Sequence, residues 1–402
     1  MRKKCRLIVS IISICVVFIT GCKPMSNKTG VDNEFESLIK EFKTIAPNEV
    51  DSHITINISE KFSMDADIII SDELETYSVE NLKMKRHLFT DKEILLKKII
   101  EEFRWKQENL TDIQFRLLDD TLENGEKETV LSIEDESENS GYAYVRDRYV
   151  TVDNELGRQY GAWSISAYSE INIEPDMCYL EEMKEEISLD FLSVEKVKDY
   201  ASKLVKDFEI DFWVDSTVYT CTLEKLQNVM EREHRFYIEN GWDDEIRREV
   251  NKDDEAYFVT MQQGNKGISF FPYNVSKEVS NSYLVGNQCC IIYSKDGIED
   301  LYISNMYDII DTVEKKEIIS LGDLLEIYYN QYGNTLATRE EIIKIQLYYL
   351  PICTDEMNLE FTAKPIWYVL SNVERDMAGE KTIQRRAVMY DAATGEEIKW
   401  EE

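Results

Sequence analysis

An α+β fold, with antiparallel sheets each packed by amphipathic helices in two or three modules behind an N-terminal leader and tether, is predicted by three observations in the 402-residue sequence. Helical and strand periodicities arrive in blocks rather than as regular βαβ units. The strand patterns alternate apolar with polar residues, as sheets with one wetted face do. Glycine-bearing hairpin turns join several of these strands.

The leader comes first. Arg2, Lys3, Lys4 and Arg6 form a basic start, and residues 7–19 form an apolar run broken only by serines, which is the build of a secretory signal peptide. The run falls short of the roughly 20 apolar residues that a membrane-spanning helix needs. It ends in Ile19-Thr20-Gly21-Cys22, which resembles the lipobox of bacterial lipoproteins, with an aliphatic and two small residues before the cysteine that takes the diacylglycerol. Thr20 departs from the commonest residue at its place. The resemblance implies a signal peptide over 1–21, cleavage before Cys22, acylation of Cys22 with palmitate-type chains, and a partnership with the outer face of the cytoplasmic membrane. Residues 23–33 are polar, contain Pro24 and Gly30, and carry no apolar period. Residues 22–34 therefore read as a lipidated flexible tether.

The chain holds 46 Lys and Arg against 79 Asp and Glu. The leader removes four basic residues and no acidic ones, so the remainder carries 42 minus 79, or −37. Such a field excludes nucleic acid, whose phosphates are bound by Lys and Arg, and it opposes adhesion to anionic lipid. Of eight cysteines, Cys5 and Cys15 leave with the leader and Cys22 is the lipid site, leaving Cys178, Cys221, Cys289, Cys290 and Cys353. Their odd number leaves at least one free, and neither C-x-x-C nor zinc-ligand spacing occurs. Buried apolar thiols are one reading; one disulfide from Cys221 to Cys289 or Cys290 is the other.

Helices follow in order. Thr90 and Glu93 have capping-box spacing ahead of Ile94, Leu95, Ile99, Ile100 and Phe103. Ser193 precedes a stripe of Val194, Val197, Tyr200, Ala201, Leu204, Val205 and Phe208. A helix over residues 223–240, with Leu226, Met230 and Tyr237 in register, stops at Gly241, and Ser320 opens another with Leu321, Leu324, Leu325, Tyr328 and Tyr329. Stripes at this spacing are what burial against a sheet requires. Strand alternation runs through Ile54, Ile56 and Ile58 and through Trp163, Ile165 and Ala167, with hairpin turns at residues 263–267 and 295–297. Acidic stretches at 134–138, 181–186 and 242–255 read as solvated loops. Cuts near 188 and 306 divide the folded chain into an N-terminal α+β domain over 35–188, a middle α+β domain over 189–305 and a C-terminal module over 306–402.

That last module combines the Ser320 helix, an apolar strand at 342–350, Lys364-Pro365-Ile366-Trp367-Tyr368-Val369, and Tyr390-Asp391-Ala392-Ala393-Thr394-Gly395-Glu396. Together these resemble PepSY-type modules and the extracellular tails of membrane-tethered kinase regulators of Gram-positive bacteria. The same residues read directly as a meander whose Asp391 to Gly395 loop uses glycine for positive φ. An insertion over 370–384 departs from the resemblance. The whole chain also resembles an uncharacterised lipoprotein family of Gram-positive gut bacteria, which implies no activity.

Catalytic signatures are scarce. G-x-S-x-G, H-E-x-x-H, G-x-x-x-x-G-K-[ST] and G-x-G-x-x-G are missing, and only His53, His87 and His234 offer imidazoles. Ser193 and Lys196 match S-x-x-K, but Ser193 reads as an N-cap because no S-D-N or K-T-G accompanies it. Glu231, Glu233 and His234 share a helix without the spacing that would aim a glutamate beside the histidine. Asp243, Asp244, Asp253 and Asp254 lack the ligand order of a calcium loop. The expectation is accordingly no catalytic residue, no metal, no cofactor, and an interaction or regulatory role with an envelope protein as partner. A solute- or glycan-binding protein is the alternative, predicting a cleft lined by convergent aromatic and polar groups. A hydrolase would require two carboxylates roughly 5 to 10 Å apart.

Overall fold

The computed structural model describes residues 30–102, 114–121, 127–134, 142–153, 183–184, 186–210, 213–239, 241, 250–272, 288–295, 297–333, 339–355, 359–377 and 380–399. Five helices are described: α1 (Gly30–Phe42), α2 (Lys92–Glu102), α3 (Val194–Asp207), α4 (Leu223–Glu239) and α5 (Leu321–Tyr332). They pack on two large sheets, which makes the fold α+β.

The first sheet contains β1 (His53–Asn57), β2 (Phe62–Ile69), β3 (Ser78–Arg86), β13 (Tyr307–Glu317), β14 (Arg339–Asp355), β15 (Glu360–Met377), β16 (Glu380–Asp391) and β17 (Glu397–Ile398). Its main path is β1-β2-β14-β15-β16-β17. Every pairing is antiparallel except β2 with β14. Residues 360–363 of β15 pair with β3, and residues 366–377 pair with β16. One long strand thus serves two partners, and β13 extends the β3 branch.

The second sheet contains β4 (Gln114–Thr121), β5 (Lys127–Glu134), β6 (Tyr142–Val145), β7 (Tyr149–Asp153), β8 (Trp213–Cys221), β9 (Ala256–Asn265), β10 (Ile268–Ser269), β11 (Gln288–Ser294) and β12 (Gly297–Ser304). They run in the order β10-β9-β11-β12-β7-β6-β5-β4, with β8 on the other side of β9.

This grouping corrects the expectation of consecutive modules. The first sheet draws on residues 53–86 and 307–398, and the second on 114–153 and 213–304. Near residue 306 the chain does pass from one sheet to the other, but residues 306–402 do not close a core alone. Phe62, Met64, Ala66 and Ile68 of β2 share one apolar cluster with Leu321, Trp367 and Val388. The insertion expected over 370–384 is the end of a hairpin, because β15 and β16 stay paired from Ile366↔Asp391 out to Met377↔Glu380. Residues 30–34 of the expected tether belong to α1, which starts at Gly30 and buries Phe35, Ile39 and Phe42.

Local sequence explains the helices. The Ser320 hydroxyl accepts the Asp323 backbone N–H at 3.1 Å while Asp323 accepts from the Ser320 N–H at 3.3 Å, a reciprocal cap. Ser193 accepts from the Lys196 N–H at 3.4 Å, and Gly241 takes φ +72° just beyond α4. Helix α1 crosses α5 closely at Gly322, where a Cβ would stand 2.4 Å from the Ile39 carbonyl oxygen. In α2 the buried face is Leu95, Leu96 and Ile99, and Ile94 is 55% exposed. Glu93 there accepts from Lys97 one turn on, at 2.8 Å. Tyr200 of α3 is likewise outside the buried face, stacked on Tyr293 with centroids 5.7 Å apart.

Helices α1 and α5 cover one face of the first sheet, and Phe271 helps bury the other with Tyr348, Ile366, Tyr368 and Met389. Helices α2 and α3 cover one face of the second sheet, and α4 packs on the opposite face through Leu226 and Val229. The two sheets are joined by buried hydrogen bonds. Gln263 donates to the Tyr307 carbonyl at 2.5 Å and accepts from its N–H at 2.8 Å, and the Phe271 N–H donates to the Tyr349 carbonyl at 2.8 Å. The hairpin between β9 and β10 reaches across as well. Lys266 and Gly267 both have positive φ, 50° and 73°, as a two-residue I′ turn demands. The Lys266 carbonyl accepts at 2.7 Å from Ser71, in the loop that follows β2 of the other sheet.

The expected strand at 163–168 lies outside the described residues, as do Phe103, Cys178 and Asp296.

Candidate functional site

Strand periodicity carries one carboxylate into the first core. Glu340 stands two residues before Ile342 on β14, and both are buried, at 2% and 0% exposure. Across the sheet, Ser371 of β15 is in register with Arg386 of β16. From above, the α5 stripe that buries Leu321, Leu324 and Leu325 also lowers Tyr328 onto the same place.

The resulting polar cluster is closed. Tyr328 donates to Glu340 Oε1 at 2.6 Å, Ser371 donates to the same oxygen at 2.9 Å, and Arg386 Nη1 donates to Oε2 at 2.6 Å. The Glu340 backbone N–H donates to the Lys61 carbonyl at 2.7 Å. Arg386 also lies 4.5 Å from the Tyr332 ring centroid, a cation–π contact. Farther out, Tyr390 donates to Gln331 at 3.0 Å, and Gln331 donates to Tyr332 at 3.2 Å and to Glu397.

Burial, followed by the Glu340 charge, holds the Tyr328 phenol well above its ordinary pKa, and burial with Glu397 pushes Tyr332 up to about 12. These tyrosines keep their protons at neutral pH and act as donors. A carboxylate that accepts three hydrogen bonds and phenols that hold their protons fix a helix on a sheet; they are poorly placed to abstract a proton.

The residues singled out in the sequence are not brought together here. Cys22 lies outside the described residues. Ser193 caps α3, and Lys196 is exposed. Glu231 is exposed on α4; the side chain of Glu233, and Asp243 and Asp244 entirely, lie outside the described residues. Asp253 pairs with Lys295 at 2.7 Å, and Asp254, 1% exposed, accepts from the Asn251 N–H at 2.6 Å. The acidic stretch around it is therefore in part a capped turn. His53, half exposed, is bracketed by Asp67 and Asp65 at 3.0 Å each, which raise its pKa in that order. Cys221, Cys289, Cys290 and Cys353 are free thiols. Burial raises the first three, Cys221 to about 12, leaving little thiolate for chemistry. Trp367 is fully buried and donates its indole N–H to the Ile319 carbonyl at 3.2 Å. Among the described residues no cluster of His, Cys, Asp and Glu has the geometry of a metal site.

Glu340 and Arg386 escaped the sequence reading. The signal was there in weak form, a charged residue at an inward position of an apolar strand.

Comparison with solved structures places the fold. An uncharacterised protein from Eubacterium rectale, solved at 1.45 Å, superposes with a TM-score of 0.71 at 18% identity, covering 91% of this chain and 98% of that one. The two chains share a fold. The C-terminal domain of Bacillus megaterium YpeB aligns at a TM-score of 0.32 and 10% identity, over 78% of this chain and 98% of its own, too remote to carry weight. No family model matches the sequence, and no curated protein matches it.

Proposed function

We propose that this chain is a lipid-anchored extracytoplasmic protein that works by docking to an envelope protein and modulating it. The observation that carries the reading is Ile19-Thr20-Gly21-Cys22 behind a basic start and an apolar run. Helix α1 begins at Gly30, so a lipid on Cys22 would keep that helix within about 28 Å of the anchor, the reach of eight extended residues. The PepSY-type resemblance of residues 306–402 supports a regulatory role. The net charge of −33 over the whole chain supports docking to a protein over adhesion to anionic lipid.

The test begins with mass spectrometry of the natively expressed protein, which should find residues 1–21 missing and an acylated Cys22. Cys22→Ala should release protein into the medium; equal membrane retention of that variant would end the anchoring claim. Crosslinking in intact cells and purification through this protein should then recover an envelope protein whose association slows as salt rises, since charge attraction is screened beyond about 8 Å at physiological ionic strength. Recovery of no protein partner, with glycan binding by the purified chain, would replace this reading with the solute-binding one.

A further inference from the structure

Strand β1 ends the main path of the first sheet, and among the described strands it pairs with β2 alone. Alternation turns Ile54 and Ile56 toward the core, where they are partly buried, and sends His53, Thr55 and Asn57 to the outer face. A short strand held along one edge and half covered is where a sheet opens first. The outer row of β1 bears on that weakness.

In register, His53 stands opposite Asp67 and Thr55 opposite Asp65. The imidazole lies between the two carboxylates, with Nδ1 at 3.0 Å from Asp67 Oδ1 and Nε2 at 3.0 Å from Asp65 Oδ1. The Thr55 hydroxyl donates to that same Asp65 oxygen at 2.6 Å. A neutral imidazole carries one N–H, so it serves one of these carboxylates and turns a lone pair on the other; the imidazolium donates to both. The arrangement selects the protonated ring, and opposite charges facing each other across two strands hold them together. Two lysines bear on the same row. Lys184 comes within 3.9 Å of Asp67 Oδ2, and Lys344 of β14 is in register with Asp67 on its far side. Asp65 has His53 as its cationic partner among the described residues.

We propose that His53, Asp65 and Asp67 form a pH-operated clasp, which fastens β1 to β2 while the imidazole is protonated and loosens this end of the sheet when it is not. Asp67 and then Asp65 hold the His53 pKa above its ordinary 6.5, and Thr55 and then His53 hold that of Asp65 below its ordinary 3.8. The raised histidine contributes in full below pH 6.5 and loses its contribution as pH climbs through the folded value. The lowered aspartate contributes in full above pH 3.8 and loses its contribution as pH falls through its own folded value. The clasp is closed between these limits and opens on the alkaline side, where two carboxylates are left beside an uncharged ring. It depends on neither the lipid anchor nor a protein partner.

The full chain has three histidines, so the His53 ring protons can be assigned in an NMR pH titration by their loss in His53→Gln. The His53 midpoint should lie above 6.5 and should fall in Asp65→Asn, in Asp67→Asn and further in the double variant. Hydrogen exchange over the same titration is read as protection factors, which remove the intrinsic pH dependence of exchange. The β1 amides should lose protection roughly twofold or more as His53 deprotonates, while those of β14 and β15 stay constant. His53→Gln should make β1 protection independent of pH over that range. A midpoint at or below 6.5, a midpoint unmoved by both aspartate substitutions, or β1 protection that ignores the titration of His53 overturns the proposal. If an asparagine variant fails to fold, the midpoint and the β1 protection of the unsubstituted chain decide the matter.

Discussion

Among the described residues of the first sheet two charges are buried, and they are treated in opposite ways. Glu340, 2% exposed, is met by Tyr328, Ser371 and Arg386 with bonds of 2.6 to 2.9 Å. Arg86, 8% exposed, lies between the rings of Tyr307 and Phe361, 4.8 and 4.7 Å from their centroids. Both occupy inward positions on strands that are otherwise apolar. A closed polar network rigidifies the element it touches, here α5 against β14 and β15; two aromatic faces offset part of the cost of burying a guanidinium. The contrast teaches that burial of a charge does not mark function by itself.

The largest expected effect calibrates the contrast. Trp367→Ala empties an apolar site in the same core as Glu340 and should cost about 3 to 5 kcal/mol, read from the denaturant midpoint at constant slope. An unmoved midpoint would show that this core does not hold the sheet together.

Arg386→Met tests the closed network directly. It leaves Glu340 without its counter-ion and should cost about 3 kcal/mol, and adding Glu340→Gln should recover part of the loss. If the second substitution only deepened the loss, the pair would not be a charge pair in the sense used above.

Alkaline titration sharpens the picture further. Tyr332 has a folded pKa of about 12, raised first by burial and then by Glu397, against about 10 for an unfolded tyrosine. Because the folded value is the higher one, the contribution is present in full below pH about 10 and is lost as pH climbs from there through about 12. Tyr332→Phe should flatten that limb of the stability profile; an identical limb in both proteins would remove Tyr332 from the account.

The smallest effect is expected at the sheet's outer branch. Ile310 is 49% exposed where the pairing of β13 with β3 slips between Ile309 and Asp311. It is the extra residue of a bulge, a device that blunts an edge strand. Ile310→Thr should change stability by no more than about 0.5 kcal/mol in the same denaturation assay. A loss several times greater would mean that this side chain is covered in solution.

Local order in the sequence settled a good deal. The Ser193 and Ser320 helix starts and the turn at Lys266-Gly267 follow from residues within one turn or one strand of each other, since caps and I′ turns are local devices. The same locality explains the errors of detail. The α2 pattern reads with Ile94 inward, whereas the fold buries Leu96 and leaves Ile94 exposed, because several rotations of a short helix bury a similar apolar count. Tertiary structure alone decided which strands share a sheet. The pairing of β2 with β14 spans some 280 positions, as Ser63↔Glu341 shows, and no window of neighbouring residues encodes a partner so distant. It alone decided, too, what became of the inward charges. Alternation placed Glu340 and Arg86 on buried faces, but the tyrosine, serine and arginine that complete the first, and the two rings that enclose the second, come from elements folded in from elsewhere along the chain. Whether a charge is satisfied depends on the groups packed against it from all sides, and a linear pattern specifies only the side to which it points.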